Sequence, residues 1–271
     1  MKRTYDCEPT MTDTQVLEFC RKGILMLEAV VPDEVNKKTC DYCDLYAEGG
    51  PFEQDRVRLP DEIFELDWFA DNVILNSEAI GVVRSLLGKN FQLPTFMANH
   101  RAVCPSGVGG WHRDAGSLYG PKIDSLKVFY YPQDTPLEMG PTDLLPGSHF
   151  LYAGDYMGHY TGIRGAMPTT APAGSIIVCF YNIWHRKGVA TAAGTRNLMK
   201  YHYVRTAPPE RDWVIEPDFN VEQIYNMRQG HFYYAREGHR AFNDAAEIFL
   251  WLSGNHAAFR GNDSSLPVYM A

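Results

Sequence analysis

Ser175-Ile176-Ile177-Val178-Cys179-Phe180-Tyr181-Asn182-Ile183-Trp184 is a run of β-branched and aromatic residues that leads directly into His185. Continuous apolar character of this length reads as a strand buried on both faces, and the end of such a strand can hold an imidazole rigidly. Working outward, segments 96–103, 125–131 and 197–204 have the same flavour and are separated by Pro and Gly clusters. That is the pattern of a β-sandwich or barrel, expected over about residues 91–207.

The flanks differ from this centre. Thr12-Asp13 followed by Val16, Leu17 and Phe19 predicts a capped short helix, residues 23–27 a strand, and Pro32-Asp33-Glu34 the start of a second helix. Residues 49–66 read as loop. Segment 77–87 carries Ile80, Val83, Leu86 and Leu87 at amphipathic spacing. Near the other end, Phe242, Ala245, Ala246, Phe249, Leu250 and Leu252 form an apolar stripe on a helix over 240–252. That stripe can pack on the sheet or on a second subunit of a homo-oligomer. With no repeat and no low-complexity stretch, residues 1–271 read as a single domain of mainly β structure with helical flanks.

Charge and cysteine content narrow the partners. The chain has 25 Lys and Arg against 33 Asp and Glu, a net charge of -8, so its mean field repels nucleic acids and acidic membrane surfaces. No eighteen-residue apolar run and no leader-like start are present, and the cysteines lack the spacing of a disulfide scaffold. A cytoplasmic location away from membranes is expected. Cys40 and Cys43 form a C-x-x-C without a second pair to complete a zinc site, so they read as two small thiols on one helix face.

The chemistry starts at Trp111-His112-Arg113-Asp114, where His112 and Asp114 are two apart and share a face of an extended segment. An isolated H-x-D is a weak signal. His185 strengthens it, because two imidazoles and one carboxylate make the facial triad of non-haem iron(II) oxygenases, which leaves three adjacent positions open. Arg196 opens a strand-like segment, 196–204, expected to pair antiparallel with the 175–184 run and to point into the same cavity. Its planar guanidinium suits the distal carboxylate of 2-oxoglutarate. Pro146-Gly147 suits a type II turn, and His149 beside it reads as a structural histidine.

Together, Trp111-His112-Arg113-Asp114, Gly140-Pro141-Thr142 through Leu145-Pro146-Gly147-Ser148-His149, Trp184-His185-Arg186 and Arg196 resemble, in order and spacing, the motifs of the phytanoyl-CoA dioxygenase family. The resemblance implies a double-stranded β-helix, a cupin-like jelly roll. It implies iron(II) on His112, Asp114 and His185, with Arg196 on 2-oxoglutarate, Phe129 and Thr142 beside that cosubstrate, and O₂ as oxidant. Related halogenases replace the carboxylate by a small residue, so Asp114 implies hydroxylation, or a related desaturation or ring-forming oxidation, releasing succinate and CO₂. The family often shows Asn and Ser or Thr five and seven residues after the second His, where this chain has Ala190 and Ala192, and a small residue where it has Lys187. The substrate therefore does not follow from the family name.

A small-molecule substrate is expected to meet Arg113, Tyr119 and, on a 151–168 lid, Arg164, although each has an equally ordinary reading in packing or a solvated connection. Two rivals remain at this point: a cupin-like metalloenzyme that does not use 2-oxoglutarate, and a non-catalytic barrel. Arg196 counts against the first and the intact triad against the second.

Overall fold

The computed structural model describes residues 4–46, 57–114, 122–150, 156–158, 162–228 and 237–255. Its centre is an antiparallel sheet in which Met199–Val204, Ser125–Tyr131, Ser175–Phe180 and Ile24–Leu27 lie side by side in that order. Short strands Phe91–Gln92 and Ala98–Asn99 extend the edge beyond Met199–Val204.

Strict alternation sorts these strands into two faces. Leu126, Val128, Tyr130, Ile176, Val178, Phe180, Met199, Tyr201 and Tyr203 join the larger hydrophobic core, which the helices cover. Phe129, Tyr131, Ile177 and Cys179 lie on the opposite face in a smaller core. A side-chain period of two puts Lys127 with Phe129, and Lys200 with His202, on that second, inner face.

The inner face looks onto a second sheet, in which Tyr156–Gly158, Trp111–His112, His185–Lys187, Thr142–Leu144 and Met167–Pro168 run in order. A third pair joins Ala102–Ser106 to Ala190–Arg196. This is the expected jelly-roll arrangement of antiparallel sheets with flanking helices. Among the described residues, hydrogen bonding does not close it into a barrel.

Two expectations about strand continuity are corrected. The 175–184 run does not end in His185 as one strand: it leaves the central sheet after Phe180, turns through an Ile183 N–H to Phe180 carbonyl bond, and starts a new strand in the second sheet at His185. The 196–204 segment likewise divides, and its Met199–Val204 part pairs with Ser125–Tyr131, which separates it from Ser175–Phe180. Buried amides cause the second break. Asn99 donates to Asn197 Oδ1 and accepts from the Leu198 N–H, while Gln133 accepts from the Asn197 N–H and donates to its carbonyl. Side chains thus satisfy backbone groups that a continuous ladder would have used.

The helical flanks follow the sequence closely. Thr12 and Gln15 form a capping box on Asp13–Lys22, which Gly23 ends in a left-handed conformation (φ 74°). Asp33–Leu45 starts after Pro32, and Ser77–Leu87 forms as predicted, with Asn76 as its cap. The loop expected over 49–66 contains strand Val57–Arg58 and a 3₁₀ turn at Asp61–Glu65; residues 47–56 lie outside the description. Cys40 and Cys43 sit on one helix as free thiols. Helix Glu237–Leu252 uses its stripe within the chain, with Phe249 packed on Trp213 and Phe219. The side chain of Phe242 is not among those described. No described helix is long and apolar enough to cross a membrane.

Candidate metal centre

Strand register builds this centre. His185 lies directly opposite His112 across the second sheet, so their side chains emerge as a cross-strand pair, with ring centroids 4.3 Å apart. Asp114, two residues beyond His112, returns to the same side. Potential ligand atoms of His112, Asp114 and His185 all lie within 4.8 Å of one another, and this is the one such group among the described residues.

Each imidazole is oriented by the same device. Nδ1 of His112 lies 2.9 Å from the Gly110 carbonyl, and Nδ1 of His185 lies 3.0 Å from the Ile183 carbonyl. Since a carbonyl only accepts, both Nδ1 atoms carry the proton, and both Nε2 lone pairs are left for a metal. Burial, ahead of any charge, pushes both imidazoles below their usual range, with Lys127 and Lys200 lowering both further. The neutral, ligating form is therefore favoured at neutral pH.

Asp114 is held ionised. Burial alone would raise its carboxyl, but Lys127 and then Lys200 hold it far below the carboxylate range. Lys127 Nζ is 2.5 Å from Oδ2, while Lys200 Nζ is 2.6 Å from Oδ1 and 3.3 Å from His185 Nε2. The Lys200 ammonium thus lies between the carboxylate and the imidazole. Two neutral imidazoles and one carboxylate are a donor set that suits iron(II).

Neither lysine was anticipated from the sequence. The signal was available: Ser125-Leu126-Lys127-Val128-Phe129 and Met199-Lys200-Tyr201 each set a lysine inside an otherwise apolar strand, and lysine is almost never fully buried without a partner.

A cavity of about 360 Å³ adjoins the triad and is lined by His112, His185, Arg196, Phe129 and Thr142 among others. Arg196 reaches it by a different route from the one expected. It ends a strand paired with Ala102–Ser106 and donates to the Gly140 carbonyl at 2.7 Å. Phe129 packs 5.8 Å from the His185 ring, and the Thr142 N–H donates to the Tyr131 hydroxyl.

The candidate substrate residues fare differently. Arg113 is buried over the Trp184 ring and is not in the lining of the triad cavity. Arg164 is exposed in a turn and is not in the lining of the triad cavity. Tyr119 lies outside the described residues, as does much of the 151–168 lid, of which 156–158 and 162–168 are described. His149 is structural as expected: its Nε2 lies 2.8 Å from the Cys20 carbonyl, its ring stacks on Phe180, and burial pushes it down to about 4. The Pro146-Gly147 turn closes with a Ser148 N–H to Leu145 carbonyl bond and Gly147 at φ 77°.

Comparison with known proteins gives a family match and a fold match. The family model described as phytanoyl-CoA dioxygenase (PhyH) matches residues 19–197. No curated protein matches the chain in sequence. Among solved structures, HygX from Streptomyces hygroscopicus with nickel and 2-oxoglutarate bound superposes with a TM-score of 0.57 at 17% identity, covering 73% of this chain and 88% of HygX. The epimerase SnoN, in complex with Fe3+, alpha ketoglutarate and nogalamycin RO, superposes at 0.56 with 16% identity, covering 71% and 83%.

Proposed function

We propose that this chain, which belongs to the phytanoyl-CoA dioxygenase family and is thereby an iron(II)- and 2-oxoglutarate-dependent oxygenase, hydroxylates a small molecule at the centre formed by His112, Asp114 and His185. The observation that carries the assignment is convergence: three ligand-type side chains offer atoms within 4.8 Å of one another, and two of them, His112 and His185, line a cavity with Arg196. When bound, iron(II) with 2-oxoglutarate and O₂ supplies the oxidising chemistry, and succinate and CO₂ leave.

The chain's own contribution is placement. Gly110 and Ile183 carbonyls fix the two imidazoles with Nε2 toward the metal, so no tautomer change is needed on binding. Lys127 holds the second carboxylate oxygen of Asp114 and keeps the first turned toward His185. Arg196, anchored on the Gly140 and His100 carbonyls, offers the N–H groups not used there to the distal carboxylate of 2-oxoglutarate, with Phe129 and Thr142 forming the wall. The free thiols suit a cytoplasmic enzyme.

HygX and SnoN, described with hygromycin B and with nogalamycin RO, support a small organic substrate; that SnoN is an epimerase makes the product the point to measure. The deciding experiment follows 2-oxoglutarate, O₂ and succinate with candidate substrates. We expect one succinate per product, a product one oxygen heavier, and an Arg196→Met variant whose KM for 2-oxoglutarate rises at least tenfold. Turnover without 2-oxoglutarate would instead identify a cupin-like metalloenzyme.

A further inference from the structure

We infer that Tyr181 and His202 select the substrate, and that the molecule oxidised here presents to them a flat aromatic ring bearing a hydroxyl or comparable hydrogen-bonding group. This rests on the oxygenase reading above and extends it to the class of substrate.

Two spaces meet at the triad. The Arg196 cavity is one, and a half-open chamber of about 230 Å³ with Asp114 in its wall is the other; His100 and Lys200 border both. Tyr181, His202 and Phe96 line only the second, whereas Arg196, Phe129 and Thr142 line only the first. With the cosubstrate assigned to Arg196, the second chamber is the space left for the molecule to be oxidised, beside a metal ligand. Strand register places its wall. His202 stands opposite Lys127 on the inner face of the central sheet, and Tyr181 follows the last residue of Ser175–Phe180.

The chamber favours rings. Tyr181 and His202 meet edge to face with centroids 5.9 Å apart, and Phe96 adds a third aromatic. Lys127 and Lys200 both keep Asp114 as a partner, and while so paired the Lys127 ammonium lies 5.0 Å from the Tyr181 ring centroid and that of Lys200 5.9 Å from the Phe129 centroid. Ion pairing and contact with a ring thus coexist here, so an incoming ring gains cation–π attraction without taking either ammonium from its carboxylate. A saturated ring of the same size gains neither that attraction nor the contact between aromatic rings. An apolar cavity of about 150 Å³ already accommodates benzene, so this chamber has room for one ring or two fused ones.

Two side chains supply the polar part. Among the described residues, neither the Tyr181 hydroxyl nor the His202 ring nitrogens find a hydrogen-bond partner; the two side chains meet rings and an ammonium instead. Burial pushes the Tyr181 hydroxyl up and the His202 imidazole down, so both are neutral at neutral pH. Neutral hydrogen-bonding groups left open in an aromatic wall suit a neutral polar substituent, the means by which a mostly apolar pocket fixes the orientation of its ligand.

The test uses 2-naphthol, its saturated counterpart 2-decalol, and protein loaded with Mn(II) and then with Mn(II) plus 2-oxoglutarate. Calorimetry reads affinity, and Mn(II) relaxation of the probe's proton resonances, against a Zn(II)-loaded reference, reads proximity to the metal. We expect 2-naphthol to bind with 2-oxoglutarate still in place and to relax faster on the Mn(II) protein, and 2-decalol to bind at least about fivefold more weakly. Tyr181→Phe and His202→Phe keep a ring and remove the polar atoms, and each should weaken 2-naphthol about threefold or more. Tyr181→Leu should weaken it further, while affinity for 2-oxoglutarate stays within about twofold in every variant. Circular dichroism selects folded variants; both residues are half-buried, and either carries the test if variants of the other do not fold. Equal binding of the two probes, displacement of 2-oxoglutarate by 2-naphthol, or unchanged 2-naphthol affinity in the Phe variants would overturn the proposal. So would a bound probe that Mn(II) does not relax, or no 2-naphthol binding by a protein that takes up metal and 2-oxoglutarate. Metal and 2-oxoglutarate uptake are read in the same titrations, so a wild-type protein that takes neither tells against the oxygenase reading itself.

Discussion

Two carboxylates in this molecule, one buried and one half-buried, are clasped by cations, yet they do opposite things. Asp13, fully buried at the start of the first long helix, accepts from Arg211 Nε and Nη2, from the Trp213 indole N–H and from the Glu216 backbone N–H, at 2.6 to 2.8 Å. Donors surround it, and it ties the amino-terminal helix to the segment around residue 213. Asp114 meets two lysine point charges and, beside Oδ1, an imidazole whose lone pair faces it. Donors complete a carboxylate; converging acceptors leave it a place for a cation. Ion pairing away from bulk water is common to both sites, so it does not by itself mark a functional carboxylate.

The sharpest break between them is metal. Asp114→Ala should lower turnover by more than about 100-fold, beyond what loss of an outer-sphere partner causes. It should also abolish the stabilisation of about 2.7 kcal/mol that Mn(II) gives at 100 times its Kd, read as a melting shift. Asp13→Ala should keep that metal-induced shift but lower unfolding free energy by about 3–5 kcal/mol, because Arg211 loses its buried partner; urea denaturation checks this.

Histidines sharpen the same contrast through pH. His149, held neutral at about 4 by burial, binds protons more weakly folded than unfolded, where 6.5 is usual. Its share of stability is complete above pH 6.5 and is lost as pH falls toward 4, up to about 3 kcal/mol, and His149→Gln should make denaturation correspondingly less pH-dependent in that window. His112 and His185 are also lowered, so Mn(II) uptake should stay level from pH 8 to 6.5 and fall only below it, as titration at stepped pH would show. The smallest effect concerns Gly23. A Cβ there would sit 2.4 Å from His149 Nδ1 at φ 74°, and Gly23→Ala should cost at least about 1 kcal/mol without changing Mn(II) affinity.

Much of the centre was legible in residue order because its geometry is local. An H-x-D on an extended segment fixes two ligands on one face whatever sheet it joins, and Gly-Pro punctuation, helix caps and amphipathic spacing act within a few residues. Lys127 and Lys200 escaped notice because a lysine in a strand looks like a solvent-facing residue until its face is known. The face depends on which sheet lies opposite.

The sequence by itself determined the class of architecture and marked His112, Asp114, His185 and Arg196 as the candidate group, since these follow from side-chain chemistry, motif order and short-range periodicity. Only the tertiary structure decided that the 175–185 and 196–204 runs each break and change sheets, that His185 stands opposite His112, and that two lysines close on Asp114. Those outcomes are set by register between distant strands and by where Asn99, Asn197 and Gln133 satisfy backbone groups. A strand's pattern states which residues share a face, and only its partners state what that face meets.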